Sequence, residues 1–170
     1  MPQPIRIYVR YVEAVNRTIG RFMMYFIFVM MGILLFSSTS RTFFSISHIW
    51  TVEMAQFVMT AYYLLGGGYS MQLDSHVRMD LLYSQWSPRG QALADAMTSG
   101  FLLVFLVVLL VGGISSTEYA LTYGQRNYSS WAPPLAPIKI IMTIGITLML
   151  LQVIAVFFKD VAKARGETLA

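Results

Sequence analysis

The chain contains no cysteine and little charge, and each shortage excludes a class of protein. Without cysteine there is no disulfide, no thiolate metal site and no cysteine nucleophile. Only 12% of the 170 residues are charged and 56% are hydrophobic, whereas an ordinary soluble domain carries about 25% charged residues. This composition favours a membrane protein. The alternative is a very apolar soluble bundle, but buried helices of soluble proteins rarely remain uncharged over stretches as long as those described next.

Four stretches lack Asp, Glu, Lys and Arg, and each is about 20 residues long, the length of helix that crosses the hydrocarbon core of a bilayer. They cover residues 22–40, 54–73, 96–117 and 140–158. They predict a single all-α integral membrane domain over residues 1–170, with transmembrane helices at about 20–41, 52–74, 92–118 and 136–158. The first stretch exceeds the apolar region of a signal peptide, about 7–15 residues, so we expect this span to be retained.

A basic segment precedes the first span. Ile5, Tyr8, Val9 and Val12 recur at spacings of three and four residues, and arginines occupy positions between them. This pattern predicts a short amphipathic helix over about residues 4–17 that lies at the membrane interface. A frayed basic tail is the alternative.

Positive charge is unevenly distributed between the two sets of loops. Nine of the 12 Lys and Arg residues lie in the N-terminal segment, the loop after the second span and the C-terminal tail. The other three are Arg41, Arg126 and Lys139. The positive-inside rule therefore predicts that both termini and the second loop are cytoplasmic, an N-in/C-in topology.

The polar residues offer almost nothing for catalysis. His48 and His76, the two histidines, are predicted on opposite sides of the membrane, so they cannot share a metal or haem site. No zinc-protease, nucleophile-elbow or nucleotide-binding pattern is present. We therefore expect no enzymatic activity and no cofactor. The net charge of +4 does not indicate nucleic-acid binding in a membrane protein, where the position of each cation matters instead.

Two features of the second span have competing interpretations. Glu53 lies near its start, whereas an autonomous ion-coupled transporter is expected to hold an ionisable group near the midplane. We expect Glu53 to form an ion pair or a helix-end contact with Arg41. The run Gly66-Gly67-Gly68 favours close packing, either among the four helices themselves or in a docking groove for another subunit.

Several short motifs occur in a distinctive order. They are Arg41-Thr42-Phe43-Phe44, Trp50-Thr51-Val52-Glu53, His76-Val77-Arg78-Met79-Asp80 and Ser87-Pro88-Arg89. In this order and spacing, the chain resembles the small membrane subunit, the DctQ-like component, of tripartite ATP-independent periplasmic (TRAP) transporters. The proline-rich segment 131–139 resembles one branch of that family. The resemblance extends over about residues 21–160.

The resemblance implies the function and the partners. Such a subunit resides in the bacterial inner membrane and pairs with a larger, elevator-type membrane subunit that carries the substrate and sodium sites. A periplasmic binding protein delivers the substrate, commonly a carboxylate or a sulfonate. The small subunit then acts as a scaffold for organic acid uptake by symport, in contact with membrane lipids and without a cofactor of its own.

The candidate functional residues follow from these motifs. Those assigned to a subunit interface or a structural role are Arg41, Trp50, Glu53, Gly66, Gly67, Gly68, His76, Arg78, Asp80 and Arg89. Arg126, Tyr128 and Trp131 are candidates for docking the binding protein, or else ordinary interfacial side chains. The segment 76–82 is expected to brace the large subunit or to form a lipid-binding turn.

Two other functions remain open from the residues alone. One is an autonomous four-helix, ion-coupled transporter that works as a homodimer. The other is a membrane anchor or assembly subunit of a different complex.

Overall fold

The computed structural model describes residues 3–73 and 88–164, including the side chains of residues 3–73 and 97–159. The regular structure of these residues is helical, apart from one isolated bridge between Arg126 and Pro134. The helices are α1 (Gln3–Met24), α2 (Phe26–Phe44), α3 (Ile49–Gln72), α4 (Pro88–Thr122) and α5 (Ala136–Ala164). The predicted all-α class is confirmed.

Three helical stretches of the described residues are long and apolar enough to cross a membrane. They are Gln3–Phe44, Met97–Thr122 and Ala136–Lys159, which contain 18-residue segments with mean hydropathies of 2.1, 2.5 and 2.5, respectively. Helix α3 is absent from this set because glycines, tyrosines and Gln56 lower its hydropathy. Its 24 residues would still extend about 36 Å, so its role as a fourth span remains a prediction based on length and packing.

The N-terminal amphipathic helix is longer than its sequence pattern indicates. Helix α1 runs to Met24, and only Tyr25 separates it from α2. Tyr25 has right-handed helical dihedrals, φ −75° and ψ −17°. Hydrogen bonds between residues three positions apart continue the backbone on either side of it: Tyr25 N–H donates to Phe22 O at 3.2 Å, and Phe28 N–H donates to Tyr25 O at 3.1 Å. The chain is therefore almost continuously helical from Gln3 to Phe44.

The long helices form a row in the order α4, α5, α3, α2. In the described residues, extensive packing along the row joins only neighbouring helices of this order. Helix α4 is antiparallel to α5, because Thr117 meets Thr143 while Gly113 meets Ile146. Helix α3 is parallel to α5, because Leu64 meets Gly145 while Gly67 meets Met149. A four-residue turn separates α3 from the antiparallel α2. The row leaves broad apolar faces exposed, such as Phe101, Val104, Phe105, Val108 and Val111 of α4.

Helix α1 packs across the ends of α3 and α5. Its buried face consists of Val9, Val12, Asn16, Gly20 and Met23, which recur at the spacing of one helix side. Glu13 forms an ion pair with Lys159 of α5, and its carbonyl oxygen accepts a hydrogen bond from Gln72 Nε2 at 2.8 Å. The N-terminal helix therefore lies beside the C-terminal parts of α3 and α5.

Candidate functional site

Trp50 and Glu53 lie near the start of α3, next to the turn that joins α2 to α3. Ser37 Oγ and Thr51 Oγ1 lie 3.0 Å apart across the two helices, and Thr51 Oγ1 also donates to the His48 carbonyl at 2.8 Å. The Phe36 and His48 rings stack with centroids 5.2 Å apart, and Trp50 lies 6.3 Å from each. Trp50 is thus part of an aromatic cluster that covers the turn between α2 and α3.

Glu53 and Arg41 do not form the expected contact. Glu53 is only 6% exposed and its Oε2 atom has no hydrogen-bond partner in residues 3–73 and 88–164, whereas Arg41 is exposed. No ion pair joins them in the described part of the chain. The reason is helical rotation: Ser40 is the buried residue of α2, so Arg41 points about 100° away from it. An unpaired buried carboxylate is costly, which makes Glu53 an unusual group near this helix end.

Two of the three glycines in the run of α3 serve packing among the helices of this chain. A Cβ on Gly67 would lie 2.9 Å from Met149 Sδ of α5, and one on Gly68 would lie 2.7 Å from Asn16 Oδ1 of α1. These two glycines allow the helices to pack closely. A Cβ on Gly66 would meet nothing within 4 Å, so this glycine does not serve internal packing.

Gly66 instead lines a groove between α1 and α3. The groove has a volume of about 490 Å³. Its lining includes Gly20, Met23, Tyr62, Tyr63, Gly66 and Tyr69. Methionines adapt their shape to a partner, and tyrosines supply large apolar rings with a polar end. The groove can therefore accept an apolar side chain or acyl chain from outside the chain.

A pair of buried polar side chains connects α1 to α5. Neither residue was among the candidates from the sequence. Asn16 and Gln152 are both fully buried, and Asn16 Nδ2 donates to Gln152 Oε1 at 2.8 Å. Tyr8 adds a hydrogen bond from its hydroxyl to the Leu151 carbonyl at 3.1 Å. Two features of the sequence could have predicted this pair: an Asn inside an amphipathic helix and a Gln inside an apolar stretch. Polar residues within spans tend to pair across helices.

Two further close approaches also rest on glycine. A Cβ on Gly145 of α5 would lie 2.8 Å from Leu64 Cβ and 2.9 Å from the Leu64 carbonyl oxygen. Gly20 of α1 lies against the Tyr69 side chain so closely that a Cβ would overlap it. Only a glycine fits at these positions without moving a helix.

The loop between α4 and α5 is an ordered structure that presents all three candidate docking residues. Backbone bonds link Asn127 N–H to Pro133 O at 3.0 Å and Leu135 N–H to Gln125 O at 2.9 Å. Lys139 holds the base of the loop, donating to Gln125 Oε1 at 2.6 Å and to the Ser116 carbonyl at 3.3 Å. At the tip, Tyr128 is 102% exposed. The other two candidates, Arg126 and Trp131, are also exposed.

Four of the predicted site residues cannot be placed in full. His76, Arg78 and Asp80 lie outside the described residues, and Arg89 lies in α4 without a described side chain. Within the described residues, no group of three His, Cys, Asp or Glu side chains is arranged to hold a metal ion.

A family model described as "Tripartite ATP-independent periplasmic transporters, DctQ component" matches residues 30–163 of the chain. The matched region begins inside α2 and ends inside α5, so it includes the full row of helices except the start of α2. No curated protein matches at the level of similarity that we required.

Proposed function

Because the chain belongs to the DctQ component family of TRAP transporters, we propose that it is the scaffold subunit of a secondary transporter that imports an organic acid. It is the small membrane component of such a transporter and not an enzyme. The family match over residues 30–163 is the observation that carries this proposal. The expected substrate class is a carboxylate or a sulfonate.

The row of helices is consistent with a scaffold. A row of four long helices buries few of its side chains internally and offers wide apolar faces to a neighbouring subunit or to lipid. The buried carboxylate Glu53 lies in the second turn of α3, close to the helix end. An autonomous ion-coupled transporter would need such a group deeper in the membrane, so Glu53 favours the scaffold over that alternative.

The proposed partners are a large, elevator-type membrane subunit with the substrate and sodium sites, and a periplasmic substrate-binding protein. The groove at Gly66 is our candidate contact with the large subunit, because this glycine is unused by internal packing. The segment 76–82 is proposed to brace the same subunit from the cytoplasmic side. The exposed tip of the α4–α5 loop, with Arg126, Tyr128 and Trp131, is proposed to dock the binding protein, since Arg and aromatic residues are favoured contact residues.

The proposed location is the bacterial inner membrane, with both termini in the cytoplasm. The excess of Lys and Arg on the side of the termini supports this orientation. The α4–α5 loop would then face the periplasm, where the binding protein is.

The decisive experiment is a pull-down of the tagged full-length chain from its native host in mild detergent. The proposal expects one large polytopic membrane protein in about equal amount. Reconstitution of the pair, together with the binding protein and a sodium gradient, should give organic acid uptake that the chain alone does not give. A homodimer that copurifies with no partner and transports by itself would establish the autonomous alternative.

A further inference from the structure

Helix α1 carries its four arginines along one side. Arg6, Arg10, Arg17 and Arg21 are all exposed. At 100° per residue they fall within an arc of about 60°, and at 1.5 Å per residue the stripe is about 22 Å long. The buried face of α1, which packs against α3 and α5, is centred about 110° around the helix from these arginines. We call these four residues the arginine stripe.

The charge of the arginine stripe is not neutralised within the described residues. None of the four guanidinium groups forms an ion pair or a hydrogen bond there. Helix α1 contains one acidic residue, Glu13, and its carboxylate is turned towards Lys159 of α5. Four positive charges therefore remain available to an anionic ligand.

A second exposed stripe runs beside the arginines and carries large apolar side chains. Ile7, Tyr11 and Phe22 are 68%, 71% and 62% exposed. Around the helix they lie next to the arginine stripe, farther from the buried face than the arginines are. A helix with adjacent basic and apolar stripes is suited to the boundary between lipid headgroups and acyl chains.

The contacts of α1 fix its position along α3 and α5. Gly20 and Asn16 meet Tyr69 and Gly68, near the end of α3. Tyr8 meets Leu151 and Phe158 of α5. Between them, Glu13 contacts Gln72, the last residue of α3, and Lys159, five residues before the end of α5. Helix α1 also leads directly into the apolar helix α2, within the candidate membrane stretch Gln3–Phe44, which favours a position of α1 next to the bilayer.

We propose that the arginine stripe binds the phosphate groups of anionic phospholipids, while Ile7, Tyr11 and Phe22 insert among the acyl chains. Guanidinium groups form bidentate, charge-assisted hydrogen bonds to phosphate, and basic clusters next to a span attract anionic headgroups. A row of charges beside an exposed apolar stripe matches the layered chemistry of a bilayer surface better than that of an acidic protein surface. This proposal requires that the chain is a membrane protein, but not that it is a scaffold.

The first test measures lipid selectivity of the purified full-length chain. The chain is equilibrated with equal amounts of phosphatidylglycerol and phosphatidylcholine, and bound lipids are counted by native mass spectrometry. We expect a preference for phosphatidylglycerol that weakens at high salt. Replacing both Arg10→Gln and Arg17→Gln should reduce the preference on the order of tenfold, whereas Arg10→Lys with Arg17→Lys should keep most of it.

A matched control removes the same charge elsewhere. Arg41→Gln with Arg126→Gln changes two exposed arginines outside α1 and should leave the preference unchanged. Equal binding of the two lipids by the native chain would overturn the proposal, as would an unchanged preference in the Arg10 and Arg17 glutamine variant. If that variant instead loses the large subunit and keeps its lipid preference, the stripe is a protein-docking surface and the lipid proposal is wrong.

A second test reads the depth of α1 directly and uses the absence of cysteine from the chain. Fluorophores attached after Ile7→Cys or Arg10→Cys can be compared in vesicles that contain acyl-chain-brominated lipid. We expect stronger quenching at position 7 than at position 10. Equal and weak quenching at both positions would show that α1 is not inserted, and would contradict the proposal independently of the fate of the transporter complex.

Discussion

Asn16 of α1 donates a hydrogen bond to Gln152 of α5 across 2.8 Å, and both side chains are fully buried. The two residues are 136 positions apart in the sequence. Asn16 Oδ1 and Gln152 Nε2 have no hydrogen-bond partner among the described residues, so the pair is only half satisfied. It nevertheless joins the first helix of the chain to the last.

Removing one member of this pair should be more harmful than removing both. Asn16→Leu leaves the Gln152 amide without its donor, and we expect a loss of about 1–2 kcal/mol. Adding Gln152→Met should recover part of it, which a double-mutant cycle would report as a coupling of roughly 0.5–1.5 kcal/mol. Unfolding in detergent measures the effect, with Gln56→Met, at an exposed glutamine of α3, as the control. Purely additive single effects would show that the hydrogen bond contributes no coupling.

The contact between Gly145 and Leu64 should not tolerate a methyl group. In Gly145→Ala the new Cβ would lie 2.9 Å from the Leu64 carbonyl oxygen, so α3 and α5 must separate. We expect a destabilisation of about 1–3 kcal/mol, measured as a lower unfolding temperature. Gly112→Ala meets open space and should be neutral or slightly stabilising, because alanine is the better helix former. Equal effects of the two variants would refute the close contact.

Filling the groove at Gly66 should affect assembly without affecting folding. Gly66→Leu places an isobutyl group where a Cβ meets nothing of this chain, so the unfolding temperature should change little. If a partner occupies the groove, the yield of copurified large subunit should fall at least about fivefold, a loss of about 1 kcal/mol. Gly112→Leu is the matched control, at a glycine that also faces open space. Full recovery of the complex with Gly66→Leu would remove the groove from the interface.

Lys139 should control the order of the α4–α5 loop. Lys139→Met removes the hydrogen bonds to Gln125 Oε1 and to the Ser116 carbonyl, so the base of the loop loses its cross-link. We expect faster hydrogen exchange, about tenfold, at the amides of Asn127 and Leu135, which bond across the loop. Arg126→Met, which changes an exposed side chain of the same loop, should leave these rates unchanged. Unaltered exchange in Lys139→Met would mean that the backbone bonds suffice.

The tip of this loop should affect transport and not assembly. Tyr128→Ala removes a fully exposed ring, so the fold and the complex with the large subunit should be intact. If the tip docks the binding protein, uptake at low binding-protein concentration should fall roughly three- to tenfold and recover when that concentration is raised. Tyr123→Ala, at another exposed tyrosine closer to α4, is the comparison. Uptake that is unchanged at every concentration would argue against docking at Tyr128.

The class of the protein was predictable, but its helix contacts were not. Stretches of about 20 uncharged residues predict spans from length and composition alone, and the motif order indicated the family that the later match confirmed. The contact between Arg41 and Glu53 was expected because both lie near one loop. It was wrong because the rotation of α2 places Ser40, and not Arg41, against the protein.

The amino-acid sequence by itself determined that this chain is an all-helical membrane protein of the DctQ family, because hydropathy and motif order are local properties. Only the tertiary structure decided which sides of the helices meet. The spans are apolar around most of their circumference, so no periodicity identifies an inner face. Gly66 and Gly67 are adjacent and chemically identical, yet a Cβ would meet nothing within 4 Å at Gly66 and would lie 2.9 Å from Met149 Sδ at Gly67. That difference depends on helix rotation, which is set by distant partners such as Asn16 and Gln152.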